Sequence, residues 1–407
     1  MRCDLNNKSG SEDFMEEKNR HLLKERMSVL KTKPNLGPAI LFFSGGSALN
    51  SVSRYLKSYT ANSIHIVTPF DSGGSSAALR NAFAIPAVGD VRNRLLALAD
   101  DHNPETGPVS ELLGRRFSTL VSAQELREEL DRLADGIAMG RRVENDPRLV
   151  AVCQELANFA QIMPADFELR GASIGNLVLA SRYLRSDRMM TKAISWFSGL
   201  IGARGLVAVS ADADLHLAAR LFDGEVVLGQ DRMTGKEFEP IVHAIEDVWL
   251  TASRDDCQRV QIQCDSEAAE KIGHADLICY PPGSFFSSLM ANLLPSGITD
   301  AIAGSDCPKI FVPNRGTDPE CPGWQAADAF RFLAKQLGHG SGSSLAPNRM
   351  LTDVLVDSSD AHEFAECNLQ ERGIQLHAED LVFAQGDAIY DPEKLGRALL
   401  TLSLGRN

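Results

Sequence analysis

Three short apolar runs in this chain each end in a cluster of glycine and serine, and that repeated pairing restricts the folds open to it. Ala39-Ile40-Leu41-Phe42-Phe43 leads into Ser44-Gly45-Gly46-Ser47, and Ile64-His65-Ile66-Val67 precedes Asp71-Ser72-Gly73-Gly74-Ser75-Ser76. Leu277-Ile278-Cys279-Tyr280 precedes Pro282-Gly283-Ser284. A run of four or five apolar residues fits a strand covered on both faces. A turn of small residues at its end lets main-chain N–H groups come close to an anion, the way α/β proteins build a phosphate cradle. Three such loops in one chain point to a nucleotide or another diphosphate ligand.

Helical patterns follow these runs. Leu49, Val52 and Leu56 mark one helix, Ala77 to Phe83 a second, and Asp90 to Asp100 a third with Val91, Leu95 and Leu98 on one side. Strand-then-helix alternation predicts a mostly parallel, doubly wound α/β sheet of Rossmann-like type. The rhythm breaks over about 103–165, where Leu, Arg, Glu and Ala at helical spacing predict a helical insertion. Beyond it the pattern predicts a helix over Ser173 to Tyr183 and strands over Gly205 to Ser210, Glu225 to Leu228 and Val260 to Cys264, with a short helix over Ala268 to Gly273. The alternation resumes with strands at Leu277, Lys309, Val354 and Leu381 to Phe383, and helices at Phe285, Trp324, His362 to Arg372 and Glu393. Residues 1–36 read as a polar, mobile tail carrying a solvated helix from Glu12 to Leu30. Residues 37–407 read as one α/β domain. Gly338 to Ser344 reads as a loop, and 345–407 is too small for a core of its own, so it is expected to complete the same sheet.

Composition excludes several function classes. The formal net charge of −13 gives no broad basic face for nucleic acid or an anionic membrane. Eight cysteines lie scattered without C-x-x-C or zinc-type spacing, which predicts reduced thiols in a cytoplasmic protein. The N-terminal stretch lacks the apolar segment of a signal peptide, and no run approaches a membrane span.

In a parallel sheet the three loops share the carboxyl edge, where ligands bind. The first is neither a Walker A loop nor a G-x-G-x-x-G fingerprint, which disfavours ATP hydrolysis and NAD. Gly45, Gly46, Ser47, Ser72, Gly73, Gly74, Ser75, Gly283 and Ser284 are the candidate phosphate-binding residues. Asp71 stands beside the second loop, where a carboxylate either holds Mg²⁺ or takes a proton from an attacking hydroxyl, or else caps a helix. Asp90 is the second candidate metal ligand or a cap, with Arg92, Asn93 and Arg94 after it facing phosphate or solvent. Gly175 and Asn176 open a helix and serve either a ligand or the core. The isolated histidines read as structural, and no nucleophile elbow is present.

Taken in order, these segments resemble the superfamily of phospholactate transferase (CofD) and the gluconeogenesis-factor-like proteins (YvcK). Ser44-Gly45-Gly46-Ser47-Ala48-Leu49 is similar to the family's G-G-T-G-L, and Asp71-Ser72-Gly73-Gly74-Ser75-Ser76 to D-D-G-G-S-S-G. Gly89-Asp90-Val91-Arg92-Asn93 is similar to G-D-I-R-N, and Gly171-Ala172-Ser173-Ile174-Gly175-Asn176-Leu177 to G-H-S-L-G-N-L. Pro282-Gly283-Ser284-Phe285-Phe286-Ser287-Ser288 resembles P-G-S-L-Y-T-S, and Asp391-Pro392-Glu393-Lys394-Leu395 resembles D-P-x-K-L. The chain departs from the pattern at Phe70, Ala77, Ala172 and the Thr317-Asp318-Pro319-Glu320-Cys321-Pro322 loop.

The resemblance implies a Rossmann-like fold, a homodimer and a small GDP- or UDP-linked nucleotide ligand. One branch transfers a phosphoryl-linked group from a nucleoside-diphosphate-linked donor to a hydroxyl acceptor with Mg²⁺. The other binds a UDP-sugar and acts as a regulator. The loop wording is closer to the second branch, while the helical insertion suits an acceptor as in the first. The leading expectation is a transferase of a bacterial subgroup, with Asp71 catalytic and Asp71 and Asp90 on Mg²⁺. The alternative is a non-catalytic UDP-sugar-binding regulatory protein.

Overall fold

The computed structural model describes residues 21–100, 103–235, 238–340 and 349–405. Among them twelve strands occur in chain order: β1 (Ile40–Ser44), β2 (Ile64–Val67), β3 (Ile137–Ala138), β4 (Arg141–Arg142), β5 (Leu206–Val209) and β6 (His216–Leu221), then β7 (Val226–Leu228), β8 (Ile245–Thr251), β9 (Leu277–Tyr280), β10 (Lys309–Phe311), β11 (Asp353–Asp357) and β12 (Gln375–Glu379). Seven form one sheet in the order β12-β11-β10-β9-β1-β2-β5, and every pairing in it is parallel. This is a doubly wound Rossmann-like sheet. The chain runs outward from β1 through β2 to β5, then returns to the other side of β1 and runs outward again from β9 to β12. The strand order therefore reverses between β1 and β9.

The two faces follow from alternation along the strands. Leu41 and Phe43 of β1 join one apolar core with Ile64, Ile66 and Ile278. Ile40 and Phe42 point the opposite way, into a core built with Leu56, Leu395 and Leu399. Each large apolar side chain buried in this way stabilises the fold by roughly 1.5–3 kcal/mol. Phe43 stacks on Tyr280 across the β1–β9 seam, with ring centroids 5.7 Å apart and 13° between planes. The Tyr280 hydroxyl donates to Met350 O at 2.9 Å. The reversal point is thus held by aromatic packing from within the sheet.

The insertion folds as helices Gly107–Gly114, Ala123–Ala134 and Pro147–Ile162, with the β3–β4 hairpin between the last two. It shares a core with helices Ile174–Arg185 and Met190–Ile201. A separate three-stranded antiparallel sheet, β7-β6-β8, projects from the chain between β5 and β9.

Several elements differ from the sequence expectation. The helix Met190–Ile201 and the strands β6 and β8 carried no prediction. Val260 to Cys264 makes only isolated bridges, Val260 with Leu250 and Gln263 with Ser296. The last strand is Gln375–Glu379 in place of Leu381 to Phe383. His362 to Arg372 is one 3₁₀ turn, Ala361–Phe364, followed by turns, and Asn368 at φ +50° bars a continuous helix through to Arg372. Helix Ala326–Gly340 extends into the stretch expected as a loop; residues 341–348 lie outside the described set. Residues 1–20 of the expected tail also lie outside it. Residues 21–32 are helical, and this helix is docked, since Leu30 is buried and Arg26 Nη1 donates to Leu404 O at 2.9 Å. The seven described cysteines are all free thiols, and no helix among the described residues is long and apolar enough to cross a membrane.

Candidate functional site

The carboxyl ends of β1 and β9 flank the reversal point, and a crevice opens there as the topology demands. A cleft of about 190 Å³ is lined by Gly45, Gly46 and Ser47 after β1, by Gly283, Ser284 and Ser288 after β9, and by Asp90, Arg94 and Gln230. A second chamber of about 230 Å³ is lined by Asp71, Gly73, Gly74, Ser75 and Ser76 after β2, with Asp90, Arg92, Asn93, Arg116, Asn176, Gln230 and Asp231. Asp90 and Gln230 belong to both, so the two chambers form one trough along the carboxyl edge. Larger hollows of about 670 Å³ beside β12 and about 610 Å³ beside β7 lie at sheet edges and contain none of these loop residues.

Close approach explains two of the glycines. A Cβ on Gly45 would collide with Ser288 Oγ and lie 3.1 Å from Asp90 Oδ2. One on Gly89 would collide with Ser76 Oγ and lie 3.3 Å from Asp71 Oδ2. Any side chain at either position closes the trough or pushes its walls apart. The first loop is held from behind by Arg94, whose side chain is wholly buried. Its guanidinium donates to Ser53 Oγ at 2.8 Å, Gly45 O at 3.3 Å and Gly46 O at 3.2 Å. This ties both carbonyls to the interior side of the loop.

In the second chamber Asn176 is a network residue. Its Oδ1 accepts from Arg92 Nε at 2.9 Å and its Nδ2 donates to Ser75 Oγ at 2.9 Å. Burial lowers the Arg92 and Arg94 guanidinium pKa values to about 10, with Asp90 opposing the shift at both and Arg116 reinforcing it at Arg92. Both remain cations at neutral pH. Helices Gly74–Phe83 and Gly89–Leu98 begin at the trough without a side-chain cap. Helices Ala123–Ala134, Pro147–Ile162, Ser266–Gly273 and Pro392–Leu404 are capped by Ser122, Asp146, Asp265 and Asp391. Helices Gly107–Gly114 and Met190–Ile201 also lack such a cap; what sets the first pair apart is that their first residues, Gly74 and Gly89, line the second chamber, which puts their positive ends at the trough. Neither aspartate acts as an N-cap: that position belongs to Gly73 and Val88, and Asp71 Oδ1 instead accepts from Gly73 N at 3.0 Å.

Two predicted residues stand outside the lining. Ser72 is buried and donates to Asp231 Oδ1 at 2.7 Å. Gly175 is a packing glycine: a Cβ there would sit 2.5 Å from Leu113 O and 3.0 Å from Arg92 Cγ. The Gly283 loop also differs from a simple cradle, because its amides already have partners. Gly283 N donates to Asn314 Oδ1 at 2.7 Å, Phe285 N to Asp318 Oδ2 at 2.8 Å, and Phe286 N and Ser287 N to Glu320 Oε2, each at 2.8 Å. Ser287 Oγ donates to the other Glu320 oxygen. Burial and the neighbouring Asp318 charge push the Glu320 carboxyl up to about 7, against the pull of these donors. The third loop thus offers the trough the Ser284 and Ser288 side chains, with its following helical turn, π-helical over Phe285–Met290, anchored internally.

No group of three or more His, Cys, Asp and Glu side chains among the described residues is arranged to hold a metal. Asp71 and Asp90 supply two carboxylates to one chamber, a hard-oxygen donor set that fits Mg²⁺ when phosphate oxygens and water complete its shell.

Residues 40–386 match the family described as 2-phospho-L-lactate transferase CofD. The chain belongs to the CofD family. It is 27% identical over 375 residues to a putative gluconeogenesis factor of Aquifex aeolicus, spanning 89% of this chain and 96% of that one. It is 28% identical over 373 residues to the gluconeogenesis factor of Bacillus subtilis, spanning 90% and 98%. A solved structure from Bacillus halodurans, described as a UPF0052 family member, superposes with a TM-score of 0.63 at 25% identity, covering 89% of this chain and 99% of that one.

Where this CofD-family chain departs from the family pattern, the structure supplies reasons. Phe70, in place of an acid, is buried in the core beneath the second loop, and Ala172 packs in the core of the insertion. The altered 317–322 loop provides the Asp318 and Glu320 caps. Sequence reasoning missed Gln230, Asp231 and Arg254, which reach the site from the small antiparallel sheet; Asp231 meets Ser72 across 159 residues of chain, and no local pattern signals that.

Proposed function

We propose that the protein binds a nucleoside-diphosphate-linked donor in the trough and transfers a phosphoryl-linked group to a hydroxyl acceptor. The supporting observation is the junction of two chambers at Asp90, one beside the reversal point and one beside Asp71. In this reading Gly45, Gly46, Ser47 and Ser284 face the diphosphate. Two carboxylates on a phosphate-binding wall repel the ligand unless a cation intervenes, so Asp71 and Asp90 hold Mg²⁺. The ion neutralises phosphate charge when bound. The acceptor oxygen bonds to phosphorus, the bond to the departing nucleoside monophosphate breaks, and the hydroxyl proton passes to Asp71. Positioning and charge stabilisation dominate such a reaction. The reading includes a cytoplasmic homodimer.

A second reading, a non-catalytic UDP-sugar-binding regulatory protein, is favoured by the relatives matched end to end, which are called factors and not transferases. Asp71→Asn separates the two. A thermal-shift screen of GDP, UDP, UDP-sugars and deazaflavins with and without Mg²⁺ finds the ligand, since a compound binding only the native state raises the melting temperature. Transfer is then followed by phosphorus NMR. Loss of turnover in Asp71→Asn with ligand retained supports the transferase. An unchanged transfer rate removes Asp71 from the chemistry, and binding without turnover in wild type favours the regulator.

A further inference from the structure

Gln230 is delivered to the middle of the trough by the small antiparallel sheet. It opens the single helical turn Gln230–Met233 after β7 and, like Asp90, lines both chambers. The turn is clamped beneath it. Asp231, 4% exposed, accepts from Ser72 Oγ at 2.7 Å, and its own N–H donates back to Ser72 Oγ at 3.2 Å. Arg254 Nη2 donates to both Asp231 oxygens, at 3.0 and 2.8 Å. The Thr234 hydroxyl closes the turn on Asp231 O at 3.2 Å. The Gln230 side chain is half-buried and makes no hydrogen bond among the described residues. A clamped turn thus presents an amide with an uncommitted donor and acceptor at the divide between the two chambers.

We propose that Gln230 is a specificity-determining residue that contacts the group attached to the distal phosphate of the bound diphosphate. The inference rests on the nucleotide reading above and adds the chemistry of that group. A carboxylamide both donates and accepts. It matches a hydroxyl-bearing group, one hydroxyl of which donates to Gln230 Oε1 while Nε2 donates to the linking oxygen. Asp231, Ser72 and Arg254 act as positioning residues through the turn.

Calorimetric titration with Mg²⁺ tests this, using UDP, UDP-glucose, GDP and GDP-mannose as probes. In whichever series wild type binds, Gln230→Ala is expected to lower affinity for the hexose-linked form about tenfold, the value of one hydrogen bond, and for the plain diphosphate less than about twofold. The melting temperature without ligand stays unchanged, because the side chain has no intramolecular partner to lose. Gln230→Glu, which replaces the donating Nε2 by an acceptor-only oxygen facing the linking oxygen, is expected to bind the hexose-linked form more weakly still. Equal losses for both ligand forms, or no loss, overturn the inference and leave the nucleotide reading standing. If wild type binds none of the four, that reading fails and the inference falls with it.

Discussion

Replacing Glu320 with Gln should change how stability depends on pH. The Glu320 side chain is 1% exposed, and its carboxyl is raised from 4.5 to about 7 by burial and by Asp318. A group whose folded pKa lies above its unfolded value contributes stability that is complete below the unfolded pKa, here near 4.5, and is lost as pH rises through the folded one, here near 7. At about 1.4 kcal/mol per pKa unit, this costs the wild type about 3 kcal/mol, most of it between pH 5 and pH 8. In Glu320→Gln the new carboxamide keeps an acceptor for the Phe286 and Ser287 amides, and the Ser287 hydroxyl can turn to accept from its NH₂ group, so the packing survives while the titration disappears. For 407 residues at about 2 cal/mol/K each, that energy corresponds to a melting-temperature difference of about 3–4 °C. Scanning calorimetry of both proteins in steps from pH 5 to pH 8 measures it, and titrations common to both cancel in the difference. Glu320→Gln should gain on wild type steadily as pH rises. A pH-independent difference would refute the reasoning, and a gain by wild type with rising pH would mean that the amide donors outweigh burial.

Two further substitutions probe the supports of the trough. Arg94→Lys keeps the charge but loses the fork that reaches Ser53, Gly45 and Gly46 together; it should cost about 1–3 kcal/mol in chemical denaturation, and a neutral result would remove Arg94 from the anchoring of the loop. Gly175→Ala places a methyl against Leu113 O and should destabilise by about 1–3 kcal/mol through overpacking, whereas an unchanged unfolding midpoint would show that the helix pair can separate at little cost.

Much of the frame could be read from local sequence, because a strand buried on both faces must be apolar and the turn after it must be small. Ile40–Ser44, Ile64–Val67 and Leu277–Tyr280 were legible for that reason, and with them Gly45, Gly73 and Gly283 at one edge. The edge strand Gln375–Glu379 was not, since its residues are exposed or half-buried and the apolar cluster at Leu381 to Phe383 drew attention away. The strands β6 and β8 show neither a clean apolar run nor a period of two, with Arg220 near the end of one and Glu246-Asp247 side by side in the other, in a sheet whose partners are set only by folding. Helix Met190–Ile201 starts after Asp187 and Arg188, both at positive φ without glycine, so it lacks the usual entry signal. At the site, the glycines announce themselves one by one, whereas Arg94 behind the loop, the Asp318 and Glu320 caps and the Asp231 clamp are pairings across long stretches of chain. Asp318 and Glu320 were visible in sequence only as a departure; what they do depends on amides more than thirty residues away.

The central claim is that the reversal point between β1 and β9 holds a diphosphate. A crystal structure of the protein grown with Mg²⁺ and whichever of GDP or UDP raises its melting temperature is the most direct measurement. It should show the two phosphates between Gly45–Ser47 and Ser284, with Asp71 and Asp90 as the residues that would hold the metal, and the density should vanish in Gly45→Ala. Phosphates seated in the hollow beside β12 or β7, with the cleft at β1 and β9 empty, would contradict it.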